Sequence, residues 1–192
     1  VHDIGKATPV FQAKGLGFAR GNVESLAWLP ERAGLRVAAG INAVHPTHPI
    51  AGNLILRRYF IERGMSRRLA RALSSIVGAH HGMPPSAAEL NKEPEYGSRL
   101  GWGVSDGVHS DVSWEGVQQD FVELALFRAG LSWSDLKKVS EHALSVPFAN
   151  LVTGVVIMAD WLASDEWLFP LVRPIGSNGG YVSQGVVDFA GL

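Results

Sequence analysis

The run Phe148–Leu162 constrains this chain most. It is the most apolar stretch of the sequence, and its length suits a helix rather than a strand. Asn150, Thr153 and Asp160 interrupt it, so it reads as too short and too polar to span a membrane, and as the central buried helix of the fold. Asp160 is the anomaly inside it. Burying an unpaired carboxylate costs on the order of several kcal/mol, so this residue needs a cation or a donor network. An arginine at the helix edge would satisfy it, and so would a metal ion held in the core.

The remaining pattern is also helical. Thr8 and Pro9 supply a cap and a first-turn residue for a short helix over 8–14. Residues 15–47 lack a sustained period and read as loop with one short helix around 22–29. Ile50, Leu54, Ile55 and Tyr59/Phe60 predict a helix over 49–63, closed by Gly64. Leu69, Ala70, Leu73, Ile76 and Val77 predict another over 66–81, stopped by Gly82 and Pro84-Pro85. The turn-rich stretch 83–112 reads as a long loop. Helices are expected over 114–129, with Val117, Phe121, Leu124, Ala125 and Phe127/Arg128 as an apolar stripe, and over 133–144, capped by Ser132. No segment alternates with period two over several strands, which makes the class all-α.

Composition narrows the chemistry. The 192 residues suffice for one domain with a core that needs no staples. The absence of cysteine excludes disulfide frameworks, zinc fingers, iron–sulfur clusters and cysteine nucleophiles together. A net charge of −1 gives no global basic field for nucleic acid. No basic segment precedes an apolar stretch, so a reducing, cytoplasmic setting is expected rather than a secretory one. The chain opens at Val1, followed at once by His2-Asp3, which predicts a piece of a longer protein.

Histidines and carboxylates carry the candidate chemistry. His2-Asp3 places one nitrogen and two oxygen ligands at one point, a set that suits Mg²⁺, Mn²⁺, Fe²⁺, Co²⁺ or Ni²⁺. Lys6 follows on the same side if the segment is helical, within reach of a phosphate; alone, it would be a surface lysine. His80-His81 ends a helix before Gly82. Neighbours on a helix point about 100° apart, so two imidazoles there can reach two cations, or a cation and a substrate group. A lone histidine at a helix end is usually a cap or a surface residue. His48 sits at an N-cap position, His45 in the loop before it; His109 and His142 have no partner in sequence and read as structural.

In combination these residues follow one layout. His2-Asp-Ile-Gly-Lys-Ala-Thr-Pro-Val-Phe-Gln12, His48-Pro-Ile-Ala-Gly-Asn-Leu54, Ile76-Val-Gly-Ala-His-His-Gly82 and Ala159-Asp-Trp-Leu-Ala-Ser-Asp-Glu-Trp-Leu-Phe-Pro170 resemble the motifs of the CRISPR-associated HD nuclease. This is the front half of the type I helicase-nuclease and a branch of the HD phosphohydrolase superfamily. The resemblance spans 2–170. It implies an HD-domain helical bundle over 1–170, N-terminally truncated, with 171–192 an irregular tail or the start of a linker toward a missing helicase module. It implies His2 and Asp3 as the namesake ligands, with Asp3 bridging two divalent metal ions. His48, His80 and His81 would hold the second ion, and Asp160 would close the first. Lys6 and Ser164 would contact the substrate or the ligands; Ser164 lies one helical turn after Asp160. The family's additional upstream histidine would lie outside this chain, which leaves one metal position short of a ligand. No Gly-x-x-x-x-Gly-Lys-Ser/Thr is present, hence no ATP cradle.

The implied function is metal-dependent cleavage of single-stranded DNA in CRISPR antiviral interference. The partners would be a helicase module and a surveillance complex, and no membrane. The alternatives are an HD phosphohydrolase acting on a nucleotide or cyclic nucleotide, and a catalytically weak docking module. A strand would need a local cationic path. Arg57, Arg58, Arg63, Arg67, Arg68 and Arg71 offer one, with Arg67 and Arg68 nearest to substrate; two solvated helix faces are the competing reading. Trp102 is the one tryptophan considered for base stacking, while Trp114 and Trp161 are assigned to the core.

Overall fold

A computed structural model describes residues 1–13, 28–37, 45–103, 112–139, 144–165 and 167–168. The described elements are a 3-10 turn at Ile4–Lys6 and helices α1 (Pro9–Gln12), α2 (Trp28–Arg32), α3 (His48–Glu62), α4 (Arg67–Gly78), α5 (Ala87–Leu90) and α6 (Glu93–Tyr96). A second 3-10 turn at Gly97–Arg99 precedes α7 (Trp114–Arg128), α8 (Trp133–Lys137) and α9 (Val146–Ala163). No strand occurs among the described residues, so the all-α class holds. The chain divides into two compact units, Val1–Ile157 and Met158–Leu192.

The central helix of the first unit is α3. Pro49 fits its first turn, and Gly64, at φ +86°, releases the chain toward α4. Ile50, Ala51, Asn53, Leu54, Ile55, Leu56, Tyr59 and Phe60 are all buried, which covers most of the circumference. Ala51 and Gly52 keep one side thin enough for the N-terminal segment to lie against it. A side chain at Gly5 would overlap the carbonyl oxygen of His48, and its Cβ would stand 2.7 Å from the Gly52 nitrogen. The other side receives α4. Ser66 caps α4 by accepting the Leu69 N–H at 3.2 Å, and Leu69 and Ala70 pack into a core with Ile4, Ile55, Phe60 and Val122. Trp133 stacks on Phe60, with centroids 6.1 Å apart.

Two buried polar residues tie the loops to this core. The Gln118 amide donates to the carbonyls of Ala7 and Leu100, each at 2.8 Å, and accepts the Trp102 indole N–H at 3.2 Å. The Thr8 hydroxyl donates to the Gly5 carbonyl at 3.0 Å and caps α1.

Several expectations change. The run expected to form the central buried helix lies in α9, which contains no buried residue; Val146, Phe148, Leu151 and Val155 are exposed. Apolar composition reports what a helix can bury, not what is laid over it. With 18 residues and a mean hydropathy of 1.6, α9 is also long and apolar enough to cross a membrane by length and composition, contrary to expectation; a core helix passes the same test. Trp161, assigned to the core, is 71% exposed, whereas Trp114 is buried as expected. The face of α7 that enters the core is Trp114, Gln118 and Val122, not the more apolar Phe121/Leu124 row, because a glutamine with three satisfied hydrogen bonds is a good core residue. The stretch read as a long loop holds α5 and α6; the Ser86/Glu89 capping box that starts α5 is legible as Ser-x-x-Glu. Most of the short helix expected around 22–29 falls within residues 14–27, which lie outside the described ones; a helix is described at Trp28–Arg32. Helix α8 ends at Lys137, earlier than expected. His109, His142 and the tail from 169 also lie outside.

Candidate metal centre

Three segments far apart in sequence meet at one end of the α3–α4 hairpin. His48 opens α3. His80 and His81 follow the end of α4 at Gly78, and Gly82 at φ +95° turns the chain away. His2 and Asp3 precede the first 3-10 turn, which is pressed onto α3 through Gly5. The hairpin is antiparallel, so the start of one helix and the end of the other must be neighbours.

The donor atoms converge tightly. His48 Nε2 lies 3.1 Å from His81 Nε2, 3.2 Å from His80 Nε2 and 3.4 Å from Asp3 Oδ1. His80 Nε2 lies 3.7 Å from the same carboxylate oxygen. His80 is almost wholly buried, at 1% exposure, and its Nδ1 donates to the Val77 carbonyl at 2.6 Å. That bond fixes the tautomer and leaves the Nε2 lone pair facing the centre. The other carboxylate oxygen, Asp3 Oδ2, faces Lys6 Nζ at 2.6 Å and His2 Nε2 at 3.5 Å. Asp3 therefore presents one oxygen to His48 and His80, and the other to His2 and Lys6.

Electrostatics keep these groups in ligand form. Burial pushes the His48 pKa down; Asp3 opposes the shift, His81, His80 and Lys6 add to it, and the result is about 4. Burial likewise lowers the pKa of His80, against the opposing bond to Val77. Burial alone would raise the Asp3 carboxyl, but the hydrogen-bonded Lys6 ammonium, with His2 and His48, holds it below the usual range. At neutral pH His48 and His80 are thus held neutral and Asp3 ionised, the protonation states that bind metal.

The donor set fits a divalent cation. A neutral imidazole has one N–H, so three Nε2 atoms and a carboxylate oxygen cannot satisfy one another by hydrogen bonds alone. Ligands about 2.1 Å from a shared ion stand roughly 3.0–3.4 Å apart at tetrahedral or octahedral angles, close to the spacings here. His48, His80 and His81 form a group with the geometry to hold an ion.

The other sequence-predicted residues are on or next to α9, α3 and α4. Asp160 is half-buried on α9, in the second compact unit, and its carbonyl accepts the N–H of exposed Ser164 at 2.9 Å. Arg67 and Arg68 begin α4, about 18 Å along the helix from His80, so neither contacts the ligands. Arg57, Arg58 and Arg63 pair with Glu93, Glu62 and Glu115, and Glu123. Arg58 also lies 4.5 Å over the Trp102 ring, whose face is thereby covered; Trp102 is a structural residue, not an open stacking platform. Gly5 and Gln118 are the residues that sequence reasoning missed. Gly5 sits inside the first motif, between Asp3 and Lys6, and that position is the signal that could have flagged it.

Comparisons with known proteins place the chain in a family. The model of the family "Cas3, HD domain" matches residues 1–169. The CRISPR-associated nuclease/helicase Cas3 of Streptococcus thermophilus is 32% identical over 180 residues, 90% of this chain and 18% of that protein. The CRISPR-associated endonuclease/helicase Cas3 of Thermus thermophilus is 32% identical over 174 residues, 90% of this chain and 16% of that protein. The chain thus spans less than a fifth of these relatives. The crystal structure of the Thermus thermophilus Cas3 HD domain in the presence of Ni²⁺ superimposes with a TM-score of 0.53 at 26% identity, covering 90% of this chain and 54% of that one. The family model covers most of the chain and the fold is likewise helical, and the chain belongs to the Cas3 HD-domain family.

Proposed function

We propose that this chain is a divalent-metal-dependent nuclease domain that hydrolyses single-stranded DNA in CRISPR antiviral interference. The convergence of three imidazole nitrogens and Asp3 Oδ1, with four of their separations at 3.1–3.7 Å, carries the reading. His48, His80 and His81 would hold one ion, and His2 and Asp3 a second, with Asp160 as the further ligand assigned by the sequence motif. Asp3 is suited to bridge them, because its two oxygens face different partner sets. Ions of this class, Mg²⁺, Mn²⁺, Fe²⁺, Co²⁺ or Ni²⁺, lower the pKa of water and neutralise charge on attacking and leaving oxygens.

The chain's own residues orient and neutralise. The Val77 carbonyl aims His80, the packing of Gly5 on α3 fixes Asp3 against His48, and the Lys6 ammonium is placed to meet a phosphate oxygen. Ser164, Arg67 and Arg68 are assigned to the substrate rather than to the ions. The relatives are nuclease/helicase proteins, so a helicase module and a surveillance complex are the proposed partners, the tail from 171 the proposed link to the former, and the cytoplasm the proposed setting. The family match runs through α9, and we assign that helix to the nuclease domain rather than to a membrane.

Incubation with Mn²⁺ or Ni²⁺ and circular single-stranded DNA tests the reading. Linear and shortened products are expected, and Asp3→Ala should remove them while circular dichroism stays unchanged. Undiminished cleavage by Asp3→Ala would overturn the metal assignment.

A further inference from the structure

His80 and His48 are held in different ways. The Nδ1 N–H of His80 donates to the Val77 carbonyl, and that bond aims its ring. Among the described residues, every hydrogen bond and ion pair of His48 is made through Nε2, the atom that faces the centre, and its Nδ1 makes none. The torsion that turns an imidazole about its Cβ–Cγ bond is broad. A ligand histidine with no bond at its second nitrogen therefore needs another contact to fix its plane. Three rings pack against His48. Two of them, His80 and His81, belong to the same ligand set. The third is Phe11, edge to face with His48 at 5.8 Å between centroids and 75° between planes. Aromatic pairs favour this geometry over a face-to-face one, so the contact selects an orientation.

The short helix α1 places the Phe11 ring. The Thr8 hydroxyl caps it by accepting the Phe11 N–H at 3.4 Å. Val10 and Ala13, three residues apart, are buried on its core side, while Phe11 and Gln12 are only partly buried. The Gln12 amide donates to the Lys6 carbonyl at 2.9 Å and so ties α1 to the turn that follows Asp3. Lys6 Nζ, bonded to Asp3, stands 6.0 Å from the Phe11 centroid. One helix thus touches both the His48 ring and the segment that carries Asp3.

We infer that Phe11 is a positioning residue of the metal centre: its ring sets the plane of the His48 imidazole, and Gln12 anchors Phe11 to the turn behind Asp3. The consequence for metal binding rests on the metal assignment above; the geometry does not. An aliphatic side chain could fill the same space, but it has no ring quadrupole with which to select one angle.

The test reads ring order and metal affinity separately. In EDTA, nuclear relaxation of protein isotope-labelled at histidine Cε1 gives the order parameter of each imidazole, with His48→Gln identifying the His48 signal. In Phe11→Leu the His48 value should fall from the rigid range near about 0.85 toward about 0.6. The His80 value should stay high, because Val77 holds that ring. Phe11→Tyr should keep the parent values. By calorimetry, Mn²⁺ affinity should drop about tenfold in Phe11→Leu, as for other groups that orient a ligand, and stay parent-like in Phe11→Tyr. Gln12→Met keeps the ring but loses its anchor, so it should lower the same two quantities by less; it carries the test if Phe11→Leu does not fold. A lower urea midpoint in Phe11→Leu, with His48 order and Mn²⁺ affinity at the parent values, would show that Phe11 serves the fold alone and overturn the inference. Lower His48 order with unchanged Mn²⁺ affinity would overturn it as well. If the order pattern holds but the parent binds no Mn²⁺, the metal assignment fails and the hold of Phe11 on His48 stands.

Discussion

The two ends of the α3–α4 hairpin hold opposite kinds of charge chemistry on one scaffold. At one end His48, His80 and His81 crowd together with Asp3, without enough donors to satisfy one another. At the other, Arg57, Arg58 and Arg63 each meet a glutamate, and the pairs lie partly in solvent. The first arrangement is poor for folding alone and good for holding a cation. The second is self-sufficient and contributes little, since exposed pairs are worth about 0–1 kcal/mol. A hairpin can carry both because its core, Ile55, Leu56, Phe60 and Leu69, lies between them. Function is expected where local interactions are frustrated, not where charge is merely abundant.

The largest effects should come from breaking the histidine end. Asp3→Ala removes the carboxylate that faces both partner sets, and the loss of cleavage rate should exceed the roughly 10–100-fold typical of groups outside the ligand shell. Gly5→Ala strikes the same end through packing. Its Cβ would overlap the His48 carbonyl, so the 3-10 turn must lift from α3 and take Asp3 with it. We expect a stability loss of about 3 kcal/mol, the upper range for overpacking, in a urea titration, together with weakened Mn²⁺ binding. Tight metal binding by Gly5→Ala would show that Asp3 does not depend on this contact.

The sequence made the histidine end legible and misplaced its support. His2, Asp3, His48, His80 and His81 could be named because titratable residues next to glycine and helix ends are conspicuous, and the motifs resemble a known family. Gly5 and Gln118 escaped because their roles are close approach and hydrogen bonding to distant carbonyls, and neither leaves a local pattern. The helices α3 and α4 were legible from the period of their apolar residues. The identity of the central helix was not, since α9 is rich in apolar residues and α3 is the one that neighbours cover. The arginines looked like a strand path because sequence shows cations and hides the glutamates folded against them.

Acid should also separate the two ends. In the absence of metal the His48 pKa, about 4, lies below the 6.5 of the unfolded chain. Between those values the unfolded chain takes up the proton and the folded chain does not. The contribution of His48 is therefore complete above pH 6.5, falls as pH drops toward 4 and levels off below. His80 shifts in the same direction. Thermal melts in chelator should show the parent losing stability relative to His48→Asn across this window. A difference between the two that is constant with pH would contradict the burial of that imidazole.

The smallest effect belongs to Arg67 and Arg68. Standing about 18 Å along α4 from His80, they can touch a strand but not the ions. Two backbone contacts to single-stranded DNA are worth a salt slope of about 1.4 in log K against log salt. The double variant Arg67→Ser/Arg68→Ser should lose that much slope while its Mn²⁺ affinity and its cleavage rate at saturating strand stay at the parent values. If the slope is unchanged, the arginines at the start of α4 take no part in holding a strand, and the arginine end of the hairpin serves the fold alone. A fall in Mn²⁺ affinity would instead mean that the two ends are coupled through the hairpin, since no contact links either arginine to the histidines directly.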